Sequence, residues 1–195
     1  MNNFTKKGFV ALAVFSVFAT AARAQSTDTK ADVKETDRPA ILLSIGPDAN
    51  LPIGNFKDFY NWSVGGSVQG DYAILGRTLY VSVNAGYDNF FTGAEKLGNS
   101  NDLNLVPVLA GLKYFAIDNF YVEALAGVSF ITDKSGEGAE KSAVFAYSPQ
   151  IGYLFHLGGR NYIDAGVKFQ SDFTYIAGQQ NNNFFGVRIA YGFGL

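Results

Sequence analysis

The stretch FGVRIAYGFGL, Phe185 to Leu195, decides how the rest of the chain is read. Successive side chains of an extended strand point to opposite faces, so Phe185, Val187, Ile189, Tyr191, Phe193 and Leu195 form one row. Gly186, Arg188, Ala190, Gly192 and Gly194 form the other. One face is bulky and apolar from end to end. The other is small, with a single charge, and suits a narrow interior.

Working back from this strand, the same two-residue period recurs. Ile163, Ala165, Val167, Phe169 and Phe173 oppose Tyr162, Asp164, Lys168, Gln170 and Asp172. Phe120, Val122, Ala124, Ala126, Val128 and Phe130 oppose Tyr121, Glu123 and Ser129. Trp62, Val64, Val68, Tyr72 and Ile74 oppose Ser63, Ser67, Gln69 and Asp71. Further strands are expected over Ala40 to Gly46, Thr78 to Asp88, Leu105 to Ala116 and Val144 to Leu157. In the third of these, Leu105 and Leu109 share a face with Lys113, which blurs the pattern. Pro107 and Pro149 each remove a ladder N–H, so bulges or strand ends are expected there.

The links between strands alternate in length. Gly76-Arg77, Asp118-Asn119 and Gly158-Gly159-Arg160-Asn161 are tight and tolerate positive φ. Asp48 to Asn61, Thr92 to Asn104, Thr132 to Ser142 and Ala177 to Asn183 are long and polar. Short periplasmic turns and long outside loops are the asymmetry of an outer-membrane barrel. Aromatic residues mark the strand ends. Tyr72, Tyr114, Phe155, Tyr162 and Phe193 are expected at one interface, and Trp62, Phe90, Phe91, Phe145, Phe173, Tyr175, Phe184 and Phe185 at the other. Counting gives an all-β fold: an eight-stranded antiparallel up-and-down transmembrane β-barrel over residues 40–195, with both termini periplasmic.

The N-terminal segment reads as export machinery. Lys6 and Lys7 precede the short apolar run Gly8 to Thr20, and Ala22-Arg23-Ala24 is a small-x-small site, so residues 1–24 are expected to be a signal peptide cut before Gln25. Residues 25–39, polar and free of aromatics, are expected to be a flexible periplasmic lead-in. The chain has no cysteine, which excludes disulfides, thiolate chemistry and a lipid-bearing cysteine anchor. A net charge of −2 gives no electrostatic footprint for nucleic acid.

From about Ile41 to Leu195 the chain resembles the small outer membrane β-barrel protein family of Gram-negative bacteria. The resemblance is carried by Leu51-Pro52-Ile53-Gly54-Asn55-Phe56, Gly111-Leu112-Lys113-Tyr114-Phe115, Asn119-Phe120-Tyr121-Val122-Glu123-Ala124 and Gly186-Val187-Arg188-Ile189-Ala190-Tyr191. It implies the architecture and names no single activity, because fold alone does not specify function. It also implies outer-membrane lipid as the surroundings and an insertion signal for the barrel-assembly machinery in the final strand. Arg188, Ala190, Phe193 and Leu195 fill that signal's positions, with Ala190 where Gly is usual and Leu195 where Phe is commoner.

Parity turns six ionisable residues inward: Asp71, Lys113, Glu123, Asp164, Lys168 and Arg188. They are read as a charge network plugging the lumen, the alternative being the wall of a narrow passive pore. Neutralising Glu123 or Arg188 is expected to strand a buried partner. An outer-membrane lipid-modifying enzyme would need a Ser/His/acid site. The chain has one histidine, His156, beside the Gly158-Gly159 turn with no serine placed next to it in sequence. No catalytic, metal or cofactor site is read from the residues. The expectation is a non-enzymatic barrel with an envelope-structural or surface-interaction role.

Overall fold

The computed structural model describes residues 38–92, 102–132, 141–175 and 180–195. The signal peptide, its cleavage site at Ala22, Ala24 and Gln25, and all but the end of the lead-in lie outside the described residues.

Eight strands follow one another: β1 (Ile41–Ile53), β2 (Tyr60–Leu75), β3 (Leu79–Thr92), β4 (Leu103–Ile117), β5 (Phe120–Ile131), β6 (Ala143–Gly158), β7 (Asn161–Asp172) and β8 (Asn182–Gly194). Each pairs antiparallel with its sequence neighbour, and β1 pairs with β8, from Leu42 opposite Gly194 to Ile53 opposite Asn183. The sheet is therefore a closed barrel. Closure leaves no strand edge unpaired, which lipid demands because it offers no hydrogen-bond partner.

Alternation does the sorting of side chains. Ile45, Val68, Ile151 and Ile189 are at least half exposed on the outer surface, whereas Leu154, Ser129 and Asp172 inside are wholly buried. A water-facing barrel with that outer surface would expose far more contiguous apolar area than soluble proteins carry. Among the described residues no helix is long and apolar enough to cross a membrane. The crossing is made by strands.

The short turns at one end match the sequence expectation and owe their tightness to backbone sign. Gly76 (φ 49°), Arg77 (φ 56°) and Asp118 (φ 32°) close two of them, and Gly158 (φ 116°) and Gly159 (φ 60°) the third. Such φ values suit the primed turns whose twist matches a hairpin.

Toward the long-loop end the strands run further than expected. β1 does not stop at Gly46 but continues through Pro47 and Pro52 to Ile53, where a 3-10 turn (Gly54–Asp58) takes over. Most of the expected loop from Asp48 to Asn61 is thus strand. Pro107 and Pro149 make neither bulges nor strand ends. Pro107 stays opposite Ser129, and Pro149 opposite Ala124, while on their other flanks the ladders skip a step without changing register. A strand residue directs its N–H and C=O to the same neighbour, so a proline costs one ladder only. The bulges lie elsewhere, at Tyr60/Trp62, Ala73/Leu75, Phe115/Ile117 and His156/Gly158.

Four expected girdle aromatics are inside. Tyr162, Phe90, Phe184 and Tyr175 are buried, while Tyr72, Trp62, Phe145, Phe155, Phe173, Phe185 and Phe193 stay outward. Tyr162, Phe90 and Phe184 are on the inward parity of their strands. Tyr60 joins them because the bulge before Trp62 turns it over, as any one-residue slip does. The interior is consequently layered. At the long-loop end Phe56, Tyr60, Phe90, Leu103, Leu105, Ile131, Val144, Tyr175 and Phe184 pack together. At the short-turn end Leu42, Tyr80, Phe115, Tyr121, Leu154 and Tyr162 do so. Leu105 belongs to the first of these layers and Leu109 to a small third cluster with Leu125 and Ala146, so both share Lys113's face because the lumen has apolar packing of its own.

The described end of the lead-in is not loose. Arg38 is buried, its guanidinium 4.1 Å from the centre of the Phe115 ring. Arg38 Nε donates to Arg77 O at 3.1 Å, and Nη1 donates to Asp118 O.

Candidate functional site

Between the two apolar layers lies a polar one, built by residues that alternation forces inward from all sides. Lys113 on β4 is its centre. Its Nζ is 2.7 Å from Asp71 Oδ2 on β2, 3.5 Å from Asp164 Oδ2 on β7 and 4.5 Å from the centre of the Tyr121 ring. Arg188 on β8 reaches Asp164 Oδ2 at 3.4 Å through Nη1, and donates to Ser67 Oγ at 2.8 Å and Ser44 Oγ at 3.0 Å. Tyr121 Oη donates to Asp164 Oδ1 at 2.6 Å. A buried charge survives only when paired and hydrogen-bonded. Asp164 meets that demand with three partners.

Glu123 is held by amides instead. Gln69 Nε2 donates to its Oε1 at 3.1 Å and to Asp71 Oδ1 at 2.9 Å, and Gln150 Nε2 donates to Glu123 Oε2. Asn84 Nδ2 closes the chain on Gln69 Oε1 at 3.1 Å. Five of the six expected residues, Asp71, Lys113, Glu123, Asp164 and Arg188, thus form one network.

Lys168 is not part of it. It sits nearer the long loops, 3.3 Å from Asp48 Oδ1. That half of the lumen also buries Asp88, which accepts from Asn50 Nδ2 at 2.7 Å, and Asp172, which accepts from Gln170 Nε2 at 2.8 Å and Tyr175 Oη at 3.4 Å. Asp48, Asp88 and Asn50 escape a sequence reading because prolines and strand ends make their segments look like loop. The signal was the parity itself, which carries from Ser44 through Gly46 to Asp48 and Asn50.

The room for this layer comes from glycines at defined points. A Cβ on Gly152 would lie 2.3 Å from Tyr121 Oη, and one on Gly186 would lie 2.2 Å from Asn50 Oδ1. Gly152 and Gly166 face each other across β6 and β7, and the Tyr121 hydroxyl lies over the pair.

His156 is exposed at the end of β6, its Nε2 2.9 Å from Gly159 O. Among the described residues no group of three or more His, Asp or Glu side chains is placed to hold a metal. Of the residues expected to carry the assembly signal, Arg188 and Ala190 face the lumen, whereas Phe193 and Leu195 face outward.

A closed eight-stranded barrel with an apolar outside and a charged inside invites comparison with known families. The model of the family described as putative MetA-pathway of phenol degradation matches residues 35–189. The chain belongs to that outer-membrane family. No curated protein matches it by sequence. Solved structures place this MetA-pathway family member among small outer-membrane barrels. Neisserial surface protein A matches with a TM-score of 0.58 at 12% identity, over 80% of this chain and 97% of its own. The outer membrane protein AlkL, solved in lipid bilayers, matches with a TM-score of 0.52 at 13% identity, over 87% and 96%. The attachment invasion locus protein of Yersinia pestis matches with a TM-score of 0.50 at 14% identity, over 80% and 97%. At these identities the likeness is one of fold. Family and fold together make the MetA-pathway family member an integral outer-membrane barrel.

Proposed function

We propose that this barrel is non-enzymatic and non-conducting, and that it works as an envelope and surface-interaction element whose long loops meet the outside. Its short turns and both termini then face the periplasm, and export uses the signal peptide ending at Ala24. The observation that carries this reading is a filled lumen, in which paired polar groups lie between apolar clusters at the two ends. Ions entering a pore need a continuous wet path, and here a paired polar layer is capped on each side by side chains that exclude water. The similarity in fold to a protein named for attachment and invasion favours a surface role.

Planar-bilayer recording tests the reading. The wild-type barrel is expected to give no stable single-channel steps. Steady, large conductance would favour the passive pore.

A second reading has one observation behind it. The family is described by phenol degradation, and the long-loop layer is rich in aromatic rings, with the Phe56 ring centre 5.0 Å from those of both Tyr60 and Phe90. Phenol taken up there would have to displace Phe56. Saturable binding of phenol to the wild type by titration calorimetry, lost on filling the layer with Tyr60→Trp, would favour this role.

A further inference from the structure

We propose that Arg38 and Pro39 form a strap that holds the short-turn mouth shut, and that this mouth is the route by which water first reaches the lumenal charges. The inference rests on the closed-lumen reading and adds where the closure is weakest.

The two ends are sealed by different means. The long-loop seal is nine packed apolar side chains drawn from strands all around the barrel and from the 3-10 turn, so opening it exposes much apolar surface at once. At the other end, the apolar layer is finished by two residues that belong to no strand. Arg38 donates to the carbonyls of Arg77 and Asp118, which lie in two different turns, and covers the Phe115 ring. The Pro39 carbonyl accepts from Tyr80 Oη at 2.9 Å. The Pro39 ring occupies the space above Gly194, where a Cβ would fall 2.2 Å from its Cγ. The next residue, Ala40, accepts from Ala73 N at 2.8 Å. A short chord of chain thus ties β2, β3, two turns and the end of β8 across the opening. Few contacts carry it, and segments of that kind are drawn from the low-stability end of a structure.

Arginine suits the task through its fork of N–H donors, which satisfies two carbonyls while its flat face lies on a ring. Lysine keeps the charge but has neither the planar fork nor the flat face.

The chain has no cysteine, so one introduced thiol reports access cleanly. Ser82 is wholly buried one layer below the strap, between Asp71 and Gly111, and Ser129 is wholly buried in the long-loop half. The test measures the rate at which a small cationic methanethiosulfonate modifies Ser82→Cys and, separately, Ser129→Cys, in the full chain folded into lipid vesicles or micelles. Arg38→Ala is expected to raise the rate at Ser82→Cys on the order of tenfold, in keeping with the loss of charge-assisted hydrogen bonds, and to leave Ser129→Cys protected. Arg38→Lys should fall between wild type and Arg38→Ala. Unchanged protection of Ser82→Cys in the Arg38→Ala background overturns the proposal. An equal rise at both reporters overturns it too, because Arg38 would then steady the whole barrel instead of closing one mouth. Fast modification of both reporters with Arg38 intact, by contrast, is the failure of the closed-lumen reading itself.

Discussion

Lys113 is the residue on which the lumen depends most. It faces two carboxylates, Asp71 and Asp164, in a space with almost no solvent. Removing one member of a buried ion pair leaves its partner uncompensated, at a cost of about 3–5 kcal/mol. Lys113→Met is therefore expected to lower the midpoint of thermal unfolding, followed as the gel shift between folded and unfolded forms, more than any other lumenal substitution. Arg188→Met should cost less, because Lys113 still faces Asp164. Glu123 accepts from the Gln69 amide at Oε1 and from the Gln150 amide at Oε2, and a carboxamide offers one acceptor oxygen only, so Glu123→Gln sets an NH2 against one of these donors and should cost about 1–3 kcal/mol. A midpoint for Glu123→Gln as low as that of Lys113→Met would show that Glu123 acts as the network's essential charge. Gly152 makes a separate prediction. Gly152→Ala drives a methyl into the Tyr121 hydroxyl and ring and against the Ala165 carbonyl, and should cost about 1–3 kcal/mol. Which charges point inward could be read from parity alone. Which of them touch could not, because strand register and barrel stagger decide that, and neither is written in any one strand.

At the scale of elements, β8 shows how far patterning reaches and where it stops. Its alternation holds from Asn182 to Gly194, and its pairing with β1 closes the barrel. Its beginning, three residues before Phe185, is masked in the sequence by the polar run Asn181-Asn182-Asn183, which reads as loop. β1 shows the opposite case: it was expected to end at Gly46 and runs on through Pro47, because a proline silences one ladder and β1 is flanked by two. Phe193 and Leu195 face outward, and Leu195 N donates to Ile41 O at 2.9 Å, so the last residues both join the seam and present an apolar edge. We expect Phe193→Asp, or deletion of Phe193 to Leu195, to leave secretion intact and to prevent insertion, with the chain degraded in the periplasm. Wild-type amounts of a heat-modifiable band in the outer membrane would count against an assembly signal at these positions.

From Ile41 to Gly194 the described chain is a barrel turned inside out relative to a soluble one, and that inversion was legible early, in the alternation, the turn asymmetry and the strand count. Its filling was not. Tyr162, Phe90, Phe184 and Tyr175 read as girdle residues because aromatic rings at strand ends serve either interface or interior, and only the closed shape decides between them. Those inward rings make the difference between a lined channel and a sealed one. We expect the outward row to meet lipid and the inward row to meet neither lipid nor water. Spin labels placed one at a time on β6 test both halves of that expectation at once, through collisions with oxygen, which concentrates in lipid, and with a water-soluble nickel complex. Phe145 and Ile151 are expected to be reached by oxygen alone, and Ser148 and Leu154 to be shielded from both reagents. Free access of the nickel complex to Ser148 or Leu154 would contradict the account.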